Sequence, residues 1–192
     1  MTVIRELVEK NRTYRRFAET EIIAEAQLRE WVDLARITSS GMNNQPLKYI
    51  LSWEPERNSR IFPHLRWAGY LKEWNGPEPG ERPAAYIVML GDTAVSKNVW
   101  WDHGLACQSI LLAAVEEGYG GCMFGSIDRE ALRKVLDLDE QYEILLVIAL
   151  GKPVEKVVLE PLKPDGDIKY YRDKDQIHHV PKRSLDDIIL NK

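Results

Sequence analysis

The stretch Asp102–Gly125, DHGLACQSILLAAVEEGYGGCMFG, decides the fold. Leu105 to Val115 is apolar nearly all round, broken only by Gln108 and Ser109, and predicts a helix buried at the centre of a domain. Glu116-Glu117-Gly118 ends it, with Gly118 placed as a C-terminal cap. Four glycines then fall within Gly118–Gly125, either to let a ligand approach the backbone or to form a tight helix-to-strand connection. Their spacing is not GxGxxG and no strand precedes them, so the segment does not support a Rossmann dinucleotide fingerprint.

On either side of this stretch lie two apolar runs, Ala84–Leu90 (AAYIVML, ending at Gly91) and Ile144–Leu150 (closed by Gly151 and Pro153), which predict buried strands. Upstream, Leu28, Trp31, Val32 and Ala35 follow one helical face, and Ile4, Leu7 and Val8 another. Tyr49–Trp53 predicts a short strand. Asp128 is positioned to cap a helix through Leu132, Val135 and Leu136, and Ser184 with Asp187 forms a capping-box pattern before a last short helix. Helices precede and separate only a few strands, which predicts an α+β architecture rather than a βαβ series. The chain has 192 residues, no internal repeat and no convincing linker, so residues 1–192 are expected to form a single domain.

The segment 54–83 is different. It holds Pro55, Pro63, Pro77, Pro79 and Pro83, with Trp67, Tyr70, Leu71 and Trp74 between them on what predicts one face of a short helix. Such an excursion is either a lid that binds substrate through those four side chains or ordinary aromatic core.

Composition narrows the function. Net charge is −4, with 26 basic and 30 acidic residues, so there is no global footprint for nucleic acid. Two cysteines, Cys107 and Cys122, make no disulfide framework and no CxxC metal spacing. The charged N-terminus does not suit a secretory signal. No apolar run approaches the ~20 residues of a membrane span. The expectation is a cytoplasmic protein with no nucleic-acid or membrane partner and no metal site; His178-His179 lack further ligands and are expected at the surface.

Three segments could carry chemistry. Asn11-Arg12-Thr13-Tyr14-Arg15-Arg16-Phe17 offers guanidiniums and a hydroxyl that suit a phosphate, or a solvated helix end. Ser39-Ser40-Gly41-Met42-Asn43-Asn44-Gln45-Pro46 offers amides and hydroxyls for a polar heterocycle, or a helix-ending turn. The third is Gly118–Gly125.

Taken together, in order and at suitable distances, these segments resemble the nitroreductase family of FMN-dependent oxidoreductases. Arg12–Phe17 is similar to its RSxRxF-type phosphate motif, Ser39–Pro46 to its PSxxNxQPW loop, Asp102–Gly125 to its central helix and flavin-facing turn, and Val180–Leu185 (VPKRSL) to its closing basic motif. Asn11, Thr13, Ser39 and Leu47 depart from those patterns. The resemblance implies a central antiparallel-type sheet flanked by helices, in an intertwined homodimer whose tail, from about residue 159 to 192, wraps the partner. It also implies FMN phosphate contacts from Arg12, Thr13, Arg15, Arg183 and Lys182. Ser40, Gly41, Asn43 and Gln45 would reach the partner subunit's flavin, and Cys122, Met123, Phe124 and Gly125 would lie along the isoalloxazine. The all-round apolar helix and the apolar tail both call for more cover than a small monomer supplies.

The implied activity passes hydride from NAD(P)H through flavin to nitroaromatic, quinone or similar small-molecule acceptors, with no catalytic side chain assigned. Alternatives within the same fold are enoyl reduction, dehalogenation or flavin breakdown. A non-catalytic flavin-binding protein is a further alternative.

Overall fold

The computed structural model describes residues 2–190. Its centre is a five-stranded, wholly antiparallel sheet. Strand β5 (Tyr142–Pro153) is the axis: β3 (Ala85–Asp92) lies along one edge, with β2 (Leu47–Ser52) outside it, while β4 (Gly120–Phe124) and the two-residue β1 (Phe17–Ala18) share the other edge. The expected end of β5 at Leu150 is therefore too early. Gly151 pairs with Gly120, and Lys152 and Pro153 pair with Ala18 and Phe17, because two short partners extend the ladder.

Alternation along β3 assigns the two faces of the sheet. Ala85, Ile87 and Met89 pack with Leu146, Ile148 and Leu150 under α2 (Glu25–Arg36) and α4 (Asp102–Glu116). Tyr86, Val88 and Leu90 pack with Ile144, Val147 and Ala149 on the other face, against Ile61 of α3 (Pro55–Ile61) and Leu132 of α5 (Arg129–Leu136). The parity slips between Ile144 and Leu146 because the β3–β5 register shifts at Met89/Leu90. The α+β class and the three-layer arrangement agree with the sequence expectation.

Two local expectations are corrected. The glycine-rich segment 118–125 contains strand β4, not merely a turn; only Gly118, at φ +83°, takes the cap conformation. Trp67, Tyr70, Leu71 and Trp74 do not share a helical face, since residues 65–84 form turns. Ala68, at φ +32°, interrupts any helical run there, and Trp67 instead packs edge-on against Phe124 (4.6 Å between centroids) and Trp74 (6.1 Å). The tail as far as Lys182 forms a small sheet, with β6 (Val157–Pro161) parallel to β8 (His178–Lys182) and β7 (Tyr171–Arg172) antiparallel to it. Ser184 caps the final helix α6 (Leu185–Ile188) through the expected capping box.

Apolar side chains remain exposed along α1 (Val3–Lys10) at Val3, Ile4 and Val8, on α4 at Leu105, and in the tail at Ile168, Leu185 and Ile188. None of the described helices is long and apolar enough to cross a membrane.

Glycine at 121 is required by β4 packing: a Cβ there would lie 2.7 Å from the Ala149 carbonyl oxygen and 2.8 Å from a Leu111 methyl. Gly121→Ala should lower stability by about 1–3 kcal/mol, measured as a shift in denaturant midpoint; an unchanged midpoint would show that the contact is slack.

The tail sheet contains a pH-sensitive contact. His179 Nδ1 lies 3.1 Å from Glu160 and Nε2 3.2 Å from Asp173, so both ring nitrogens can donate only when the imidazole is charged. The hydrogen bond to Asp173, and then that to Glu160, hold its pKa above the ordinary value. A raised folded pKa contributes stability that is complete below about pH 6.5 and lost as pH rises through the folded value. Amide exchange in β7 and β8 should therefore quicken above that range beyond the intrinsic base effect, and His179→Gln should abolish the difference.

Candidate functional site

Strand alternation also builds the site. On β4, Gly121 and Met123 face one way while Cys122 and Phe124 face the core; on β8, His178, Val180 and Lys182 share one face. These two faces meet the N-terminal segment 11–15, Gln108 and Leu111 of α4, Val157 and Tyr170 around a cleft of about 320 Å³. Thr13 is drawn there by a parallel bridge to Gly121, and the Tyr14 N–H donates to the Gly121 carbonyl at 3.0 Å.

The charge of this cleft is one-sided. Arg12, Arg15 and Lys182 line it, and among the described residues no carboxylate does. Arg12 donates through Nη2 to the Val8 carbonyl at 2.6 Å, while its buried Nε has no partner. An unpaired guanidinium N–H beside two further cations is suited to an anion, best a phosphate that takes several charge-assisted bonds at once.

A buried carboxylate outside the cleft holds these parts together. The Glu155 side chain is 1% exposed; it accepts from the main-chain N–H groups of Arg15 and Arg16 and from Arg172 Nη2 at 3.1 Å. The basic N-terminal segment and the tail are thereby fastened to the residue just past β5. Arg172 in turn lies over the Trp74 ring at 4.2 Å, tying the excursion to the same knot.

The expected site residues separate into two groups. Arg12, Thr13, Arg15, Met123 and Lys182 converge on the cleft. Arg183, just past the end of β8, does not line it. The Cys122 and Phe124 side chains turn into the core, and burial pushes the Cys122 thiol up to about 12, which removes it as a nucleophile at neutral pH. Gly125 is exposed just past the strand.

Ser40, Gly41, Asn43 and Gln45 lie elsewhere, at the N-terminus of α4. Buried Asp102 accepts from Ser40 Oγ at 2.6 Å and from the Gly41 N–H at 2.9 Å, and Ser40 Oγ accepts from the Gln45 N–H at 2.9 Å. The Ser40 hydroxyl and Gly41 amide are thus anchored to Asp102 within the chain. The loop instead offers Met42, Asn43 and the Gln45 side chain at its surface. Two exposed tryptophans, Trp100 and Trp101, immediately precede α4, and Trp100 lies so close that a Cβ at Gly41 would meet its ring.

Of the four excursion residues, Trp67 is buried, Trp74 and Leu71 are half-buried, and only Tyr70 is exposed, 4.9 Å from Tyr170 at the cleft. His178 corrects another expectation. It is 1% exposed rather than at the surface, and sequence reasoning missed its place in the cleft. Its i, i+2, i+4 spacing with Val180 and Lys182 was the available signal. A wider groove along α2 and β2 mixes Arg29, Lys48 and Arg57 with Glu30, Asp33 and Glu116 and converges on no single charge. Among the described residues, no group of histidine, cysteine and carboxylate side chains could hold a metal.

The architecture recurs in solved structures. A nitroreductase family protein from Streptococcus pneumoniae superposes with a TM-score of 0.71 at 18% identity, covering 98% of this chain and 100% of that one. A candidate nitroreductase from Exiguobacterium sibiricum, solved in complex with FMN, superposes with a TM-score of 0.68 at 16% identity, covering 81% and 90%. These likenesses define the fold as that of nitroreductases. Residues 8–152 match the Nitroreductase family, and the chain belongs to it. Among curated relatives, it is 19% identical over 178 residues to MhqN of Bacillus subtilis, named as a candidate NAD(P)H nitroreductase, covering 76% of this chain and 86% of MhqN. It is also 33% identical over 101 residues to YodC of the same organism, covering 52% of this chain and 48% of YodC.

Glu155→Ala should strip three donors of their buried acceptor and destabilise the chain by about 3–5 kcal/mol. Limited proteolysis should then cut first in the tail after residue 156, and a cleavage pattern identical to wild type would show that the tail is held by other contacts.

Proposed function

We propose that this oxidoreductase binds FMN in the cationic cleft and passes hydride from NAD(P)H to a nitroaromatic, quinone or similar flat acceptor, working as a homodimer. The observation that carries the reading is the cleft itself: three cations without a carboxylate, one with an orphaned N–H, opening beside a glycine-rich strand in a nitroreductase-family chain. When bound, the flavin supplies the hydride chemistry, and the protein supplies binding and orientation.

This chain's residues have separable roles in that reading. Arg12, Arg15 and Lys182 bind the phosphate, with the Thr13 hydroxyl beside them. Gly121 and Met123, which is 52% exposed, form the β4 floor along which a flat ring can lie. Tyr70 and Tyr170 form an aromatic rim, and stacked rings add about 0.5–1.5 kcal/mol beyond burial. Trp67 and Trp74 act as packed support for that rim and not as its surface. The separation of the Ser40–Gln45 loop from the cleft supports a dimeric site, in which Asn43 and Gln45 reach the partner's flavin. The exposed apolar faces of α1 and α4 support the same assembly.

Hydrogen bonds to a charged group contribute about 1.5–3 kcal/mol each. Replacing Arg12 and Arg15 together by Ala should therefore weaken FMN binding at least a hundredfold while leaving riboflavin binding within a few-fold. Equal loss of both ligands would refute the phosphate assignment. Bleaching of the wild-type flavin absorbance on anaerobic addition of NADH or NADPH tests the turnover half of the reading, and a spectrum unmoved by either would leave a flavin-binding protein without that activity.

A further inference from the structure

Arg15 is an unusual cation. Its side chain is buried, yet none of the ion pairs among the described residues includes it. Its guanidinium sits over the Tyr170 ring at 4.7 Å, and Nη1 lies 3.5 Å from the Thr13 carbonyl and 3.2 Å from His178 Nε2. The shortest of its side-chain polar contacts is thus to another basic residue.

A guanidinium only donates, so His178 Nε2 must hold its lone pair toward Arg15 and the ring proton must sit on Nδ1. Burial, and then the charges of Arg15, Arg172 and His179, push the His178 pKa down to about 4, which keeps the ring neutral at ordinary pH. Nδ1 is itself buried and has no partner. An unpaired buried donor is destabilising, and an apolar ring of similar shape would avoid the cost. A carboxylate in this position would orient Arg15 equally well but would cancel the charge that an anion needs. A neutral imidazole orients the guanidinium and leaves its charge intact.

The geometry points to His178 as the positioning residue for Arg15: it accepts from Nη1, holds the guanidinium at the cleft without neutralising it, and so maintains preference for a phosphorylated ligand. This rests on the flavin reading above. His178 need not touch the ligand; it acts through Arg15.

The test compares dissociation constants of FMN and riboflavin for the full-length protein, after flavin removal, by quenching of flavin fluorescence. Three proteins are needed: wild type, His178→Gln and His178→Phe. The Gln amide oxygen can accept where Nε2 does, whereas Phe keeps the ring shape and removes the acceptor. The expected result is that His178→Phe lowers the FMN-over-riboflavin preference about tenfold with riboflavin affinity within twofold, the loss of one charge-assisted contact. His178→Gln should stay within threefold of wild type. If His178→Phe does not fold, His178→Asn makes the same comparison, its amide being too short to reach Nη1. The proposal is overturned if the preference survives in His178→Phe or His178→Asn, if both ligands weaken equally, or if His178→Gln falls as far as His178→Phe. Wild-type protein that binds neither flavin, or binds both equally, overturns the functional reading itself and this proposal with it, and that outcome is visible before any variant is made. A ¹⁵N spectrum of the histidines gives an independent check: His178 should appear as the Nδ1–H tautomer, and an Nε2–H signal would overturn the assignment.

Discussion

The cleft depends on where the Glu155 carboxylate sends its acceptors. A carboxylate 1% exposed to water is tolerable only if donors replace its hydration. Glu155 finds them in two main-chain N–H groups of the basic segment and in the Arg172 guanidinium. The donors join distant parts of the chain: two come from the N-terminal segment and one from the returning tail, and Arg172 also lies over Trp74 of the aromatic excursion. Desolvation makes the arrangement all-or-none, since any one missing donor leaves a buried charge underbonded. That cooperativity holds Arg12, Arg15 and Lys182 within one cleft despite their mutual repulsion.

The sheet contributes a second constraint. Because β4 is flush against β5 and α4, it carries glycine where the backbones approach closely and side chains where they diverge. Met123 is consequently displayed to the cleft while Cys122 and Phe124 are consumed by the core. A cysteine beside the cationic cleft is here a packing residue, its thiol held protonated by burial. The chemistry available to the chain is therefore binding and orientation, in keeping with a family whose reactive group is brought by a cofactor.

Asp102 plays at the other end of α4 the part Glu155 plays near the cleft. It sits in the first turn of the helix, where the exposed N–H groups favour a negative charge, and from there it fixes Ser40 and Gly41. A loop secured at its start presents Asn43 and Gln45 with little conformational freedom left to lose on contact. Long central helix and antiparallel sheet thus serve as a rigid bar with a polar device at each end.

Periodicity and punctuation alone determined much of this protein. The all-round apolar helix after Asp102, the buried runs at Ala85 and Ile144, the face of Leu28, Trp31 and Ala35, and the caps at Asp128 and Ser184 are local signals, because burial pattern and end chemistry are written in adjacent residues. The basic, hydroxyl-bearing character of the segment around Arg12, Thr13 and Arg15 was legible for the same reason. Tertiary structure decided what depends on pairing across the chain. It made a glycine run a strand by giving it β5 as partner, and broke an apparent helix at Trp67–Trp74 by packing Trp67 on Phe124. Lys182 reached the cleft from the same face of β8 as His178 and Val180, whereas Arg183 lies past the end of the strand. His178, 163 residues from Arg15, was buried against it. A hydrogen bond or a desolvated charge over that separation has no periodic trace in sequence, since its energy exists only once the fold has brought both partners together and excluded water.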